Sequence, residues 1–180
     1  MIDLHLPVIS FVSSITVKTQ LYRFGKGYNK LSSCRMIFDT GATMTAIDES
    51  IATRLGYKWQ DGEDTIVGGI GNSALPAKII SVPMLVLDCY DVGPNAMHVI
   101  KFPEDASTKA VLGMNVIRNF KTLIDIKTRE DEGFDATKPI GMITLTPKFN
   151  IADKPALYDF MPKIHRFGIW NTNSTRWPRL

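Results

Sequence analysis

The chain has 180 residues, of which 44% are hydrophobic and 22% charged, a composition that supports one folded domain and is not typical of disorder. Its net charge is +3, but residues 148–180 carry six Lys or Arg against two Asp, a net of +4, which leaves −1 for residues 1–147. Because residues 1–147 are nearly neutral, the chain is not a nucleic-acid-binding protein with a basic surface all round. The positive charge is concentrated in the C-terminal segment, whose role has to be considered separately.

The first forty residues predict strands. Residues 8–22 are rich in β-branched and aromatic side chains and predict one long strand, or two strands joined by a bend at Ser13-Ser14. Residues 23–30 contain two glycines and an asparagine and predict a turn. The chain then returns to a strand at residues 35–38.

The remainder predicts many short strands with little helix. Asp48 is expected to cap a short helix that Gly56 closes, and residues 114–120 predict a second helical turn. Further strands are expected at residues 65–67, 77–87, 97–102, 109–112, 122–126 and 140–146, with a hairpin tip at 68–72 and a charged loop at 129–139. This pattern predicts a mostly β domain with a closed barrel and one or two short helices over residues 1–146, followed by a C-terminal extension over residues 147–180.

Several classes of site and targeting segment lack support in the sequence. No run approaches the roughly 18 apolar residues of a membrane-spanning helix, and the first residues lack the basic and apolar regions of a signal peptide. We therefore expect a cytoplasmic protein that does not enter a membrane, with Cys34 and Cys89 reduced and buried. The three histidines are far apart and no phosphate-binding glycine motif is present, so we expect no metal and no cofactor.

The informative stretch runs from Met36 to Thr43, in which an apolar strand delivers the carboxylate of Asp39 at its end. The small residues that follow turn the chain sharply and leave backbone N–H groups able to hold that carboxylate. The run Asp39-Thr-Gly-Ala42 resembles the signature of the retropepsin-like aspartic proteases. Without further support, the same tripeptide is equally typical of an Asx turn after a strand.

Three further features occur in the order that this family shows. Ala52-Thr-Arg-Leu-Gly56 resembles the helix that follows the active-site loop, and Gly68-Gly-Ile-Gly71 resembles the glycine-rich flap that covers the substrate. Val111-Leu-Gly113 resembles the second apolar element beside the active site, which leads into a short helix. The resemblance covers about residues 8–128, and four elements in order are much harder to obtain by chance than one motif.

The resemblance implies an aspartic endopeptidase that acts as a homodimer on a peptide or protein substrate. This route needs two carboxylates that share one proton, yet the chain has no second Asp-Thr-Gly. Asp48 is better explained as a helix cap, and Asp125 lacks the glycine turn. Because 180 residues cannot hold two lobes, Asp39 of each of two subunits is expected to face the other across a two-fold axis and to activate water between them.

The resemblance also implies the roles of the neighbouring residues. Thr40 would form a hydrogen bond across the axis, Gly41 and Ala42 would supply backbone contacts, and Thr43 would support the loop. The flap would close over an extended peptide. The expected site therefore comprises Asp39 as the catalytic group, with Thr40, Gly41, Ala42 and Thr43 in its loop, Gly68, Gly69, Ile70 and Gly71 in the flap, and Leu112 and Gly113 in the second loop.

Two alternatives stay open at this stage. The chain could be a non-catalytic peptide-binding or dimerisation module that kept the fold, although it retains the complete Asp39-Thr-Gly-Ala42.

The tail from residue 148 combines basic and aromatic residues. It would pack on the body or the partner, regulate the groove, or contact nucleic acid through Arg166, Arg176 and Arg179. Apart from that tail contact, we expect no nucleic-acid partner.

Overall fold

A computed structural model describes residues 3–8, 15–25, 28–68, 74–127 and 139–148. Its strands are β1 Leu4–Val8, β2 Thr16–Gly25, β3 Tyr28–Phe38, β4 Ala46–Asp48, β5 Glu63–Gly68, β6 Ala74–Val82, β7 Met84–Leu87, β8 Tyr90–Asp91, β9 Asn95–Ile100, β10 Ala110–Leu112, β11 Phe120–Ile126 and β12 Gly141–Pro147. Its helices are α1 Glu49–Arg54 and α2 Met114–Ile117, with one 3₁₀ turn at Trp59–Asp61. The prediction of a mostly β domain is confirmed.

The strands form two sheets within the described residues. The larger has nine strands in the order β5-β6-β9-β4-β10-β3-β2-β7-β8, and the smaller has three in the order β1-β12-β11. Most neighbours are antiparallel, but β10 runs parallel to β3 and β4 runs parallel to β9. In the order of the sheet, the two parallel pairs lie on either side of the antiparallel pair of β4 with β10. Because β3 and β10 are parallel, their C-terminal ends lie next to each other.

The expected closed barrel is not found in the described part of the chain. The larger sheet begins at β5 and ends at β8, and these two strands are not paired with each other. The reason lies in β8, which is only two residues long. It follows a turn in which Asp88 and Cys89 both adopt positive φ, so it offers too short an edge for another strand to close the sheet.

Two further expectations about strand boundaries were wrong. In place of a turn over residues 23–30, β2 and β3 stay paired out to Gly25 and Tyr28, because Phe24 and Leu31 pack against a buried cluster around Tyr22. The single run expected at residues 77–87 divides between β6 and β7 at Pro83. Proline has no N–H to donate and therefore interrupts a sheet ladder.

Of residues 8–22, Val8 is the last residue of β1 and residues 16–22 belong to β2, while the expected bend at Ser13-Ser14 lies outside the described residues. The tail from residue 149 onward and most of the charged loop at 129–139 also lie outside them. The division into a domain over residues 1–146 and an extension over 147–180 stays a prediction. Of the helices that the structure describes, none has the length and hydropathy required to cross a bilayer.

One hydrophobic core connects both sheets and α1. It contains the last residue of β3, Phe38, and the last residue of β10, Leu112, so the ends of both strands, which lead into the loops at 39–43 and at Gly113, are anchored in the core. Its largest fully buried side chains include Leu4, Leu6, Leu21, Met36, Ile47, Leu55, Leu112 and Ile143.

Helix α1 begins and ends as the sequence predicts. Asp48 is its N-cap, and its carboxylate accepts a hydrogen bond from the Ser50 N–H at 3.0 Å. The other carboxylate oxygen accepts from the Phe102 N–H, also at 3.0 Å. Gly56, with φ of 83°, follows the helix in a conformation that glycine adopts without strain. Burial alone would raise the pKa of the Asp48 carboxyl, but the hydrogen bonds from Ser50 and Phe102 outweigh it, and the pKa lies below its ordinary value.

We expect Asp48→Ala to lower the free energy of unfolding by about 1–2 kcal/mol at neutral pH, because α1 loses its cap and the Phe102 N–H loses its acceptor. Asp48→Asn is the matched control, since asparagine also caps helices and should cost less. Urea denaturation of the three proteins measures both effects.

The pH dependence follows from the lowered pKa of Asp48. The stabilisation by its carboxylate is complete above the ordinary value of 3.8 and is lost as the pH falls through the lower pKa of the folded state. The difference in stability between the wild type and Asp48→Asn should therefore shrink in acid. A difference that stayed constant through this range would contradict the assignment.

Candidate active site

Asp39 lies immediately after β3, at the common end of two parallel strands. Phe38 of β3 pairs with Leu112 of β10, and the Asp39 N–H continues the ladder by donating to the Leu112 C=O at 3.1 Å. Phe38 is buried, whereas Asp39 is half-buried and Thr40 is exposed. The end of β3 is therefore buried in the core, and the Asp39 carboxylate lies where the core meets solvent.

The carboxylate of Asp39 is held by the turn that follows it. The Gly41 N–H donates to Asp39 Oδ1 at 2.7 Å, which is the Asx-turn geometry expected for this sequence. A Cβ atom at position 41 would lie 3.1 Å from the same oxygen, closer than most side chains approach a neighbour. Glycine therefore allows the backbone donor to reach the carboxylate without displacing it.

The loop after Asp39 is joined by backbone hydrogen bonds to the start of α2. The Ala42 C=O accepts from the Met114 N–H at 2.8 Å, and the Thr43 C=O accepts from the Asn115 N–H at 3.0 Å. Ala42 is half-buried and Thr43 is exposed. The structure thus brings residues 39–43 and the second loop at Leu112 and Gly113 into direct contact.

Gly113 is required by close packing. A Cβ atom at this position would lie 2.4 Å from the carbonyl carbon of Met44 and 2.7 Å from the Thr45 nitrogen, both of which are backbone atoms. Its φ is −102°, which any residue can adopt. The constraint is therefore the distance between the two loops, not the conformation of the glycine.

Sequence reasoning missed the side chains that lock the two loops together. Thr45 is fully buried, and both its N–H and its hydroxyl donate to Asn115 Oδ1, at 2.7 and 2.9 Å. The Thr45 hydroxyl in turn accepts from the Gly113 N–H at 3.1 Å, and Asn115 Nδ2 donates to the Ala96 C=O at 3.0 Å. The sequence contained one signal for this contact: Thr45 and Asn115 are polar residues that each stand among apolar residues next to a predicted loop.

The β5–β6 hairpin occupies the position predicted for the flap in the chain. Gly68 ends β5 and pairs with Ala74, and no atom lies within 4 Å of a Cβ built on it. Near this end of the hairpin, Ile66 and Leu75 are 71% and 42% exposed. Gly69, Ile70 and Gly71 lie outside the described residues.

The remaining titratable groups do not form a second site in the described part of the chain. Burial raises the pKa of the Cys34 thiol, although a hydrogen bond with Thr19 opposes it, so the thiol stays protonated and weakly nucleophilic. Burial lowers the pKa of His98, which keeps its ring neutral. No cluster of three His, Cys, Asp or Glu side chains suited to a metal ion occurs among the residues that the structure describes.

Comparison with known proteins assigns the family. The model of a family described as aspartyl protease matches residues 27–116, which is half of the chain and includes every residue from Asp39 to Asn115. The chain belongs to the aspartyl protease family. A search among curated proteins found no match.

A solved structure supports the fold of this aspartyl protease family member. It is similar to a retropepsin-like aspartic protease from Rickettsia conorii, with a TM-score of 0.51 and 15% sequence identity. The similarity covers 79% of this chain and 89% of the other. At that identity the likeness concerns the fold, so the mostly β architecture is retropepsin-like.

The contacts of Asn115 lead to a prediction about stability. We expect Asn115→Ala to lower the free energy of unfolding by about 2–3 kcal/mol, because the buried N–H and hydroxyl of Thr45 lose their acceptor. Asn119→Ala is the control, since the Asn119 side chain is exposed and its amide donates to the Asn115 C=O at the protein surface. Equal losses in urea denaturation of the two variants would show that the contact with Thr45 contributes nothing.

The packing of Gly113 leads to a second prediction. Gly113→Ala should lower the free energy of unfolding by about 2 kcal/mol or more, because the backbone of Met44 and Thr45 must move away from the new Cβ. Gly68→Ala, where the new Cβ meets no atom, should change it little. Thermal unfolding of both variants tests this, and a loss confined to Gly68→Ala would be the opposite of the expected result.

Proposed function

We propose that this chain is an aspartic endopeptidase that hydrolyses peptide bonds with two Asp39 carboxylates, one from each subunit of a homodimer. The observation that carries the proposal is the position of the Asp39 carboxylate. It accepts a hydrogen bond from the Gly41 N–H at 2.7 Å, and it lies half-buried at the protein surface, directly after a strand whose last residue is buried in the core. The family match covers this loop and the second loop that contacts it.

An Asx turn by itself does not identify a catalytic carboxylate, and this chain contains a second example. The Gly93 N–H donates to Asp91 Oδ1 at 2.7 Å, the same geometry as at Asp39. Asp91 is only 8% exposed and is the last residue of the short edge strand β8, whereas Asp39 is more exposed and lies beside Leu112 and Gly113. Access for water and substrate therefore favours Asp39.

The need for a dimer follows from the chemistry of the two carboxylates. Two carboxylates at close distance cannot both be ionised, so the pair holds one proton and titrates as a unit. The ionised carboxylate takes a proton from water, and the oxygen of that water attacks the peptide carbonyl carbon. The neutral carboxyl polarises the carbonyl oxygen, and a proton is transferred to the leaving amine nitrogen as the C–N bond breaks.

The substrate in this proposal is a peptide in an extended conformation. The β5–β6 hairpin supplies an apolar, exposed end at Ile66 and Leu75, which would contact the peptide while residues 68–71 close over it. The proposal keeps the cytoplasmic setting that is expected from the sequence. Neither Cys34 nor Cys89 forms a disulfide in the structure, which is compatible with that setting.

Substitution of Asp39 tests the proposal. Asp39→Asn should lower cleavage of a denatured protein or peptide library by about 100-fold or more, because the pair loses its acid–base function. Asp91→Asn, in the matching turn, should retain cleavage. The wild type should favour acidic to mildly acidic pH and should be inhibited by a statine-type compound.

The outcomes separate the proposal from its alternative. Wild-type cleavage by Asp39→Asn would show that the mechanism is wrong. If the wild type bound peptides without cleaving them at any pH, the chain would be a non-catalytic peptide-binding module with the same fold.

A further inference from the structure

Lys78 is a charged residue that the proposed mechanism does not use, and it is buried. It belongs to β6 and is only 8% exposed. Its side chain lies on the same face of the strand as that of Ile80, which is part of the hydrophobic core. Lysine is rarely buried unless its ammonium group is paired, so the partners of Lys78 indicate what it holds in place.

The ammonium group of Lys78 contacts two different segments of the chain. Its Nζ lies 2.7 Å from Oδ1 of Asp64, the residue directly opposite it on β5. The same atom lies 5.8 Å from the centre of the Trp59 ring, within the range of a cation–π interaction. Trp59 in turn packs against the hydrophobic core. Lys78 therefore connects β5 to a tryptophan that the core holds.

The 3₁₀ turn that carries Trp59 is also held in place. The Lys58 N–H donates to Asp61 Oδ2 at 2.9 Å, and the Asp61 N–H donates to the Lys58 C=O at 2.9 Å. A Cβ atom at Gly62, the next residue, would lie 2.7 Å from the Lys78 Cβ. The chain that leads from Trp59 into β5 is therefore packed closely against Lys78.

Lys78 lies where the β5–β6 hairpin separates from the rest of the sheet. It is the last residue of β6, counted toward the tip, that pairs with β9, where it lies opposite Val99. From there to Ala74, β6 pairs only with β5 among the described residues. On the face that Lys78 shares, Pro76 and Ile66 lie opposite each other and are exposed. The contacts of Lys78 are therefore made at the base of a two-stranded hairpin, which has little stability of its own.

We propose that Lys78 is a positioning residue for the peptide, because it sets the angle at which the β5–β6 hairpin closes over the substrate. This inference rests on the proposed function, in which the exposed end of the hairpin contacts the peptide. Ile66 lies two residues, or about 7 Å, beyond Asp64 along β5. A small rotation at the ion pair therefore moves the side chain that would contact the peptide. Lys78 acts through the hairpin and not on the reacting atoms.

The two members of the ion pair differ in burial. The side chain of Lys78 is 10% exposed, whereas that of Asp64 is 92% exposed. Removal of the carboxylate leaves a buried cation without its counter-ion, but removal of the ammonium group leaves only an exposed carboxylate, which water solvates. Asp64→Asn should therefore disturb the hairpin at least as much as Lys78→Met, which keeps the apolar stem of the lysine.

Steady-state cleavage of a peptide by the full chain tests the role of Lys78. Lys78→Met should raise KM about tenfold and leave kcat within about twofold, because the contacts of the hairpin are lost equally from the bound substrate and from the transition state. Lys78→Arg keeps the charge and should restore most of the KM. Loss of a lysine that only stabilised the fold would instead lower the amount of active enzyme, and thereby kcat, without a change in KM.

Two further variants show whether the ion pair carries the effect. In the double variant Lys78→Met/Asp64→Asn, KM should be no higher than in Lys78→Met, because the carboxylate has no partner once the ammonium group is absent. Lys101→Met is the matched control. Lys101 also forms an ion pair, with Glu49 at 3.8 Å, but it is exposed and lies outside the hairpin. Its substitution should leave both KM and kcat unchanged.

Hydrogen exchange separates this inference from the proposed function, since it does not depend on cleavage. The amides of residues 63–68 should exchange about tenfold faster or more in Lys78→Met than in the wild type, whereas those of β2 should not change. If KM or the exchange of residues 63–68 were the same in Lys78→Met as in the wild type, the inference would be overturned and the protease function would stand.

A wild type that cleaves no peptide leaves the inference open to the same comparison through binding. Faster exchange together with weaker peptide binding by Lys78→Met would then support the positioning role without the protease function. A wild type that neither bound nor cleaved a peptide would overturn both.

Discussion

The candidate active site depends on the hydrogen bonds that Asn115 Oδ1 accepts from Thr45. They join two loops that are distant in the chain, and they satisfy the polar groups of a fully buried threonine. A buried polar network of this kind stabilises only when each member has its partner. Because Thr45 also accepts from the Gly113 N–H, the same threonine holds the second loop in place.

The position of Asp39 follows from that arrangement. The two loops contact each other closely enough that Gly113 has no space for a side chain, and the parallel strands β3 and β10 end together. The Asp39 carboxylate is therefore presented by rigid elements on both sides, although the residue itself is at the surface. The turn at Asp91 has the same Asx geometry, but it lies at the end of the short edge strand β8.

Local features of the fold were predictable from sequence, and contacts between distant segments were not. The strand before Asp39, the cap at Asp48 and the glycine end of α1 depend on residues within one turn of each other, and they form as expected. The contact of Thr45 with Asn115 joins residues that no local pattern relates. That the larger sheet stays open also could not be predicted from a local pattern. It depends on the length of β8, which has only two residues after the turn with positive φ at Asp88 and Cys89.

The parallel pairing of β3 with β10 has a consequence for the order of folding. Asp39 and Thr45 are synthesised well before Leu112 and Asn115, so the nascent chain carries the aspartate long before the loop that fixes it exists. Contacts of such large sequence separation form late, since the intervening chain must first be ordered. We therefore expect ribosome-bound and truncated chains that end before β10 to lack a formed loop at residues 39–43.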